Sequence, residues 1–338
     1  MDSKADIYKN LQKHLDSMPV GYPATKSGVE LRLLKFLFTP EQAEIALGLD
    51  HRFKTVKQIH ERVKHLGKSV EELASRLEEM VERGNTYRKI KDGVKVYANI
   101  PLVIGMLELQ GPRLTPEVLS DTHQYFQEGF AAAYASSKIP QTRVVPVGKS
   151  ITAEHRIGTY DELRNLIEKA GDRIRIGTCM CRNSMKMAGQ PCKVTTRDET
   201  CMAFLDFADM VKEKGWGRSI SKKEALEIAA KNEEDGLVLQ PANEQEPEFM
   251  CSCCGDCCGI LVTAKAMPRP VDLVASNFYA ASNPETCTAC ETCVDRCQMD
   301  AVELKDDIAV VNLDRCIGCG VCVQVCPEGA IVGEKEKP

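Results

Sequence analysis

Two cysteine runs near the carboxyl end decide what this part of the 338-residue chain folds around. They read CTACETCVDRC over residues 287–297 and CIGCGVCVQVC over residues 316–326, so the second run repeats the first after 29 residues (287 to 316). A [4Fe–4S] cluster needs four thiolates that converge from different directions. Three cysteines at steps of three can surround a cluster on one loop, and the fourth ligand must then come from elsewhere.

The two runs closely resemble the ligand motifs of bacterial-type two-cluster ferredoxins. In that family the fourth cysteine of each run ligates the other cluster, so the resemblance implies two [4Fe–4S] clusters with exchanged ligands. The implied sets are Cys287, Cys290, Cys293 and Cys326 for one cluster, and Cys316, Cys319, Cys322 and Cys297 for the other. Gln298 follows the first run where the family usually has proline. Zinc is the alternative, although zinc sites favour paired cysteines over triplets.

Nine further cysteines lie outside these runs, and five of them fall within eight residues. The nine are Cys179, Cys181, Cys192, Cys201, Cys251, Cys253, Cys254, Cys257 and Cys258. Ionised thiols at this density repel one another unless a metal binds them, so we expect one or two further Fe–S clusters here. Structural zinc and a redox-active thiol relay are the alternatives.

These nine cysteines differ in how strongly the sequence supports them as ligands. Cys179 and Cys181 are expected at the end of a strand, where residues two apart point to the same side. Cys192 and Cys201 each stand alone and are the weakest candidates, because a free cysteine is a common small core residue. Arg182 is expected either to hydrogen-bond a cluster or to lie on the surface. His155 is the histidine nearest these cysteines, and we do not count it among the ligands.

Sequence patterns predict an α+β protein of several domains. Residues 1–110 combine three helical stretches with two strand-like runs around Asp92 and Gly93, an order of elements that resembles a winged helix. A connecting helix follows within residues 111–140, starting after Thr115. Residues 141–267 are expected to form a cysteine-rich α+β middle domain, and residues 268–338 a ferredoxin-like domain.

The middle domain is expected to alternate strands and helices. Strands are predicted at residues 144–147 and 173–177. Helices are predicted after the capping residues Thr159 and Ser221, and a third over residues 200–214 that ends at Gly215.

Composition limits the setting in which the protein works. The amino terminus has no secretory signal, and the longest apolar stretch, residues 100–107, is far shorter than a membrane span. We therefore expect a cytoplasmic protein without a membrane span, whose 17 cysteines bind metal rather than form disulfides. No nucleotide-binding or flavin-binding motif is present in the sequence.

Electron transfer is the function that these patterns favour. The chain would pass low-potential electrons between redox partner proteins, while its amino-terminal domain serves docking or assembly, with a homodimer as one candidate assembly. The alternatives are a redox-sensing transcription regulator and an oxidoreductase with a catalytic middle-domain cluster, so whether the chain is an enzyme stays open. DNA binding is not expected, because the third helical stretch, residues 68–85, carries a net charge of −2.

Overall fold

The computed structural model of the chain describes residues 3–137, 139–146 and 160–335. The chain splits into two compact units. Unit 1 comprises Met1–Lys138 with Glu213–Trp216, and unit 2 comprises Ile139–Lys212 with Gly217–Pro338. The sequence predictions at Val147, His155 and Thr159 lie outside the described residues. Among the described residues, no helix combines the length and the apolar character that crossing a bilayer requires.

Unit 1 begins with five helices. Their bounds are Ser3–Asp16 (α1), Val29–Leu37 (α2), Pro40–Ala46 (α3), Val56–Arg62 (α4) and Val70–Arg83 (α5). Thr39, Thr55 and Ser69 start α3, α4 and α5, and each side chain accepts a hydrogen bond from the backbone N–H three residues on. The three helical stretches predicted within residues 1–110 are confirmed, whereas α1 was not predicted because its apolar positions are sparse.

One strand between α3 and α4 and two strands after α5 form a small antiparallel sheet. Its strands Lys54–Thr55 (β1), Thr86–Lys91 (β2) and Val94–Asn99 (β3) lie in the order β1-β3-β2. Asp92 and Gly93 both adopt positive φ at the turn, which confirms the predicted hairpin. The order of helices and strands is the one expected for a winged helix, and membership of that family stays a prediction.

The predicted connecting helix is confirmed and packs within unit 1. It runs through Pro116–Tyr125 (α6), a π-helical turn over Phe126–Phe130, and Ala131–Ala135 (α7). Tyr125 and Phe130 are buried, and Asp121 pairs with Arg32 of α2 at 2.7 Å. The helix therefore buries aromatic side chains within unit 1 itself.

Unit 2 contains a five-stranded antiparallel sheet with the order β6-β4-β5-β8-β7. The strands are Ile174–Thr178 (β4), Glu199–Phe204 (β5), Arg218–Ser219 (β6), Val238–Pro241 (β7) and Phe249–Cys253 (β8). The helices are Tyr160–Ala170 (α8), Met180–Met187 (α9), Leu205–Glu213 (α10), Lys222–Glu234 (α11) and Gly259–Ala266 (α12). Ile167 and Ala229 pack with Ile176 and Phe204 in its apolar core. The α+β class is confirmed.

Three predictions for this region need correction. Residues 199–204 form a strand, because β5 pairs with both β4 and β8, and the helix begins only after the positive φ of Leu205. Residues 144–146 contribute an isolated bridge from Val145 rather than a strand. Cys179 and Cys181 do not end a strand: β4 ends at Thr178, Cys179 caps α9 and Cys181 lies in its first turn.

The end of unit 2 folds as two similar halves. Helix Thr292–Arg296 (α13) corresponds to Val321–Val325 (α14), 29 residues later (292 to 321). The strands Phe278–Ser282 (β9), Val302–Lys305 (β10), Ile308–Val311 (β11) and Ile331–Lys335 (β12) pair antiparallel as β9 with β12 and β10 with β11. Each strand pair therefore joins the two halves of the repeat.

Candidate metal centres

Two cavities between the repeated halves are each lined by four cysteines. Cys297, Cys316, Cys319 and Cys322 line the first cavity. Cys287, Cys290, Cys293 and Cys326 line the second. Each cavity thus takes three cysteines from one run and the fourth from the other run. The groups are the same as the two ligand sets that the ferredoxin resemblance implies.

Backbone N–H groups point at the sulfurs from positions that also repeat. Ala301 and Ala330 donate to the cysteines four residues before them, Cys297 at 3.2 Å and Cys326 at 3.1 Å. Ala280 donates to Cys316, and Ala309 donates to Cys287, both at 3.4 Å. N–H donors of this kind stabilise negative charge on sulfur and raise the potential of a bound cluster.

Burial disfavours ionisation of these thiols unless a cation is bound beside them. It raises the pKa of Cys319 to about 12 and that of Cys322 well above its usual value. The exposed Cys290 differs, because the Thr292 hydroxyl donates to its sulfur at 3.4 Å and lowers its pKa. Gly318 has positive φ, and a side chain there would collide with the Phe278 carbonyl. The donor set and the backbone therefore fit metal clusters held by thiolates.

The middle domain holds a ring of six cysteines from four parts of the chain. In ring order they are Cys179, Cys181, Cys258, Cys253, Cys251 and Cys201, and each thiol influences the pKa of the next. Cys251 and Cys253 are two apart on β8, which puts both on one face of the sheet. Hydrogen bonds from Cys181 and Cys201 hold the pKa of Cys179 well below its usual value. The pKa values of the other five ring thiols are raised well above their usual value, so without a metal the ring favours negative charge on Cys179 alone.

Arg182 lies beside this ring and is buried, not exposed on the surface. Its guanidinium donates to the Ser252 carbonyl at 3.0 Å and reaches the Cys254 sulfur at 3.8 Å. Burial opposes its charge, but the nearby Cys179 and Cys201 sulfurs raise its pKa further above the usual value. The arginine is therefore a fixed positive charge among thiolates.

The three remaining cysteines form a second, tighter group with a carboxylate. Ligand atoms of Cys192, Cys254, Asp256 and Cys257 all lie within 4.8 Å of one another. Burial raises the pKa of Cys254 to about 12. Burial works in the same direction on Asp256, but the Lys193 N–H donates to that carboxylate at 2.7 Å and lowers its pKa overall. Cys192 and Cys201, the weakest candidates by sequence, thus each belong to a thiol group.

A family model described as a 4Fe-4S dicluster domain matches residues 275–331. This segment is a ferredoxin-like iron–sulfur domain. The match agrees with the two four-cysteine cavities and supports 4Fe–4S clusters in this segment. It does not extend to the middle domain or to unit 1. No curated protein and no solved structure matches the chain significantly.

The dicluster domain contacts the middle domain directly through Gln298. Its side-chain oxygen accepts from the Gly255 N–H at 2.8 Å, and its side-chain nitrogen donates to the Gly236 carbonyl at 3.1 Å. Arg296, two residues earlier, donates to the Glu234 carbonyl at the end of α11. Gln298 is the residue that replaces the usual proline, so this departure from the ferredoxin pattern has a structural role.

Arg315 makes a second link between the same two parts. It donates to the Lys265 carbonyl at 2.9 Å and to the Met267 carbonyl at 3.3 Å, both at the end of α12. Lys265 also pairs with Asp300 at 2.8 Å. Sequence analysis identified neither Arg315 nor Asp256. For Asp256, its position between Cys254 and Cys257 is the feature of the sequence that could have indicated a ligand.

Proposed function

We propose that the chain is a multi-cluster iron–sulfur protein that passes low-potential electrons between redox partner proteins. The observation that carries this proposal is the contact between the dicluster domain and a second thiol-rich domain of the same unit. Fe–S clusters exchange single electrons without breaking bonds, which suits them to a chain of such centres. A cytoplasmic, anaerobic setting belongs to the same proposal, because exposed thiolates such as Cys290 oxidise readily.

We assign the two clusters of the dicluster domain to the cysteines that line the two cavities. The first set is Cys287, Cys290, Cys293 and Cys326, and the second is Cys297, Cys316, Cys319 and Cys322. The N–H donors from Ala280, Ala301, Ala309 and Ala330 support this assignment, since each is directed at one of these sulfurs. Their role is to orient the thiolates and to disperse their charge.

We assign one further Fe–S centre to the six-cysteine ring of the middle domain. Six adjoining thiols exceed what a single tetrahedral ion needs, and Arg182 offsets part of their charge. This ring brings Cys201 into the ligand set together with Cys179 and Cys181. The Cys253 and Cys258 sulfurs of the ring flank the loop that Gln298 contacts, so the third centre lies next to the dicluster domain.

The regulator hypothesis is disfavoured by the charges of unit 1. Arg88 on the basic hairpin is buried and pairs with Glu78 at 2.8 Å and with Glu213 at 2.7 Å. Lys95 also pairs with Glu78, at 3.1 Å. These side chains are engaged with carboxylates, whereas DNA binding needs cations directed at phosphates. We propose that unit 1 docks a protein partner or another copy of the chain.

Anaerobic purification of the full chain, with iron and sulfide analysis and redox-titrated EPR, tests the function. The dicluster domain accounts for about eight irons, so we expect more than that, together with low-potential EPR signals. The double variant Cys253→Ser, Cys258→Ser should remove the excess iron and leave the dicluster signals. Iron limited to about eight in the wild type would refute the third centre, and turnover of a small substrate at the ring would favour the enzyme hypothesis.

A further inference from the structure

The tight group in the middle domain, Cys192, Cys254, Asp256 and Cys257, is characterised by short distances between its ligand atoms. The sulfurs of Cys192 and Cys254 are 3.5 Å apart, and the Cys192 sulfur is 3.7 Å from an oxygen of Asp256. Zinc bound to sulfur at about 2.3 Å in a tetrahedron places neighbouring sulfurs about 3.8 Å apart. Thiolates of a cubane bind separate irons and lie further apart than this. The spacing therefore fits one metal ion.

Backbone N–H groups donate hydrogen bonds to two of these ligands, Asp256 and Cys192. The Lys193 N–H donates to one oxygen of Asp256 at 2.7 Å, while the other oxygen is the one near Cys192. The Val194 N–H donates to the Cys192 sulfur at 3.4 Å. Metal ligands are usually oriented by such outer hydrogen bonds.

The apolar environment of the group also favours a bound cation over four ionised side chains without one. Leu237 is fully buried against Cys254 and Cys257, and Met185 and Val194 pack on the same cluster. Three thiolates and a carboxylate in apolar surroundings would repel one another without a cation. Soft sulfur ligands in tetrahedral number select zinc or iron among the common divalent ions, and the mixed sulfur and oxygen set is one that zinc accepts.

We propose that Cys192, Cys254, Cys257 and Asp256 bind one Zn²⁺ ion, separate from every Fe–S cluster of the chain. The ion ties the loop after α9 to the turn between β8 and α12. That turn includes Gly255, which donates to Gln298 of the dicluster domain, so the ion also fixes this contact. The role of the ion is structural, because it holds the turn, and so this proposal does not depend on electron transfer.

Metal analysis and zinc-edge X-ray absorption of the full-length protein, purified without oxygen, test the site. We expect about one zinc per chain, with three sulfurs at about 2.3 Å and one oxygen at about 2.0–2.2 Å. This measurement needs no variant and so does not depend on the folding of one. Absence of zinc in protein with full iron, or a first shell of four sulfurs, would overturn the proposal.

Two single variants locate the ion. Cys192→Ser, which changes the more exposed ligand, should lower the zinc content at least about tenfold and leave the iron content unchanged. Cys201→Ser is the matched control in the six-cysteine ring and should keep the zinc. If Cys192→Ser loses iron instead of zinc, these cysteines belong to an Fe–S centre. If iron beyond the dicluster domain is missing but the zinc remains, the third Fe–S centre of the proposed function is refuted and this site stands.

Discussion

The contact that Gln298 makes is open to direct measurement through the variant Gln298→Ala. The substitution removes the acceptor of the Gly255 N–H and the donor to the buried Gly236 carbonyl. Each hydrogen bond contributes about 0.5–1.5 kcal/mol net, so we expect the contact to weaken by about 2 kcal/mol. Because 1.36 kcal/mol is a factor of ten, opening of the Gly255 turn should become roughly 30-fold more frequent.

Hydrogen exchange followed by mass spectrometry, on anaerobic holoprotein, reads this opening at the peptide that contains Gly255. The exchange should accelerate there by roughly 30-fold and change little in β2 and β3 of unit 1. Gln245→Ala is the matched control, because Gln245 is an exposed glutamine of the same unit. Unchanged exchange at Gly255 in Gln298→Ala, or an equal change in the control, would refute the view that this side chain holds the two domains together.

Three further predictions concern charge and binding. Burial raises the pKa of Glu248 to about 7 from an ordinary 4.5, so the folded chain binds the proton more tightly and the free energy of unfolding should fall as pH rises from about 4.5 to 7. Glu248→Gln should flatten that slope in thermal melts, and a slope identical to wild type would contradict the assignment. Arg182→Met leaves the buried Ser252 carbonyl without its donor and removes a cation beside thiolates, so we expect a loss of about 3 kcal/mol and a lower thermal midpoint, checked by calorimetry. The full chain should bind duplex DNA only weakly and without sequence preference at physiological salt, and a site-specific footprint would reverse this expectation.

The two halves of the dicluster domain show what a repeat in the sequence can predict. The spacing of the cysteines predicts the ligands because three of the four ligands of each cluster lie on one short loop. The donors from Ala280 and Ala309 to Cys316 and Cys287 were beyond prediction, since they depend on strand pairing across the repeat. The ferredoxin-like domain boundary itself stays a prediction, although β9 extends the sheet back to Phe278.

The middle domain resisted prediction because its ligands come from separate elements. The ring draws on the start of α9, on β5, on β8 and on the start of α12, and no spacing in the sequence joins these places. Residues 200–204 combine apolar and small side chains that suit a helix locally, yet pairing on both edges made them a central strand. That change of element also brings Cys201 beside Cys251, which its isolated position in the sequence does not indicate.

The short run from Cys251 to Cys258 serves both thiol groups because its backbone changes conformation midway. Alternation along β8 sends Cys251 and Cys253 to the ring and the Ser252 carbonyl to Arg182. The strand ends at Cys253, so the following Cys254 is released from that alternation and its sulfur meets Cys192. Cys258 then returns to the ring as the cap of α12. The hydrogen bond between Gly255 and Gln298 holds the turn where this division occurs.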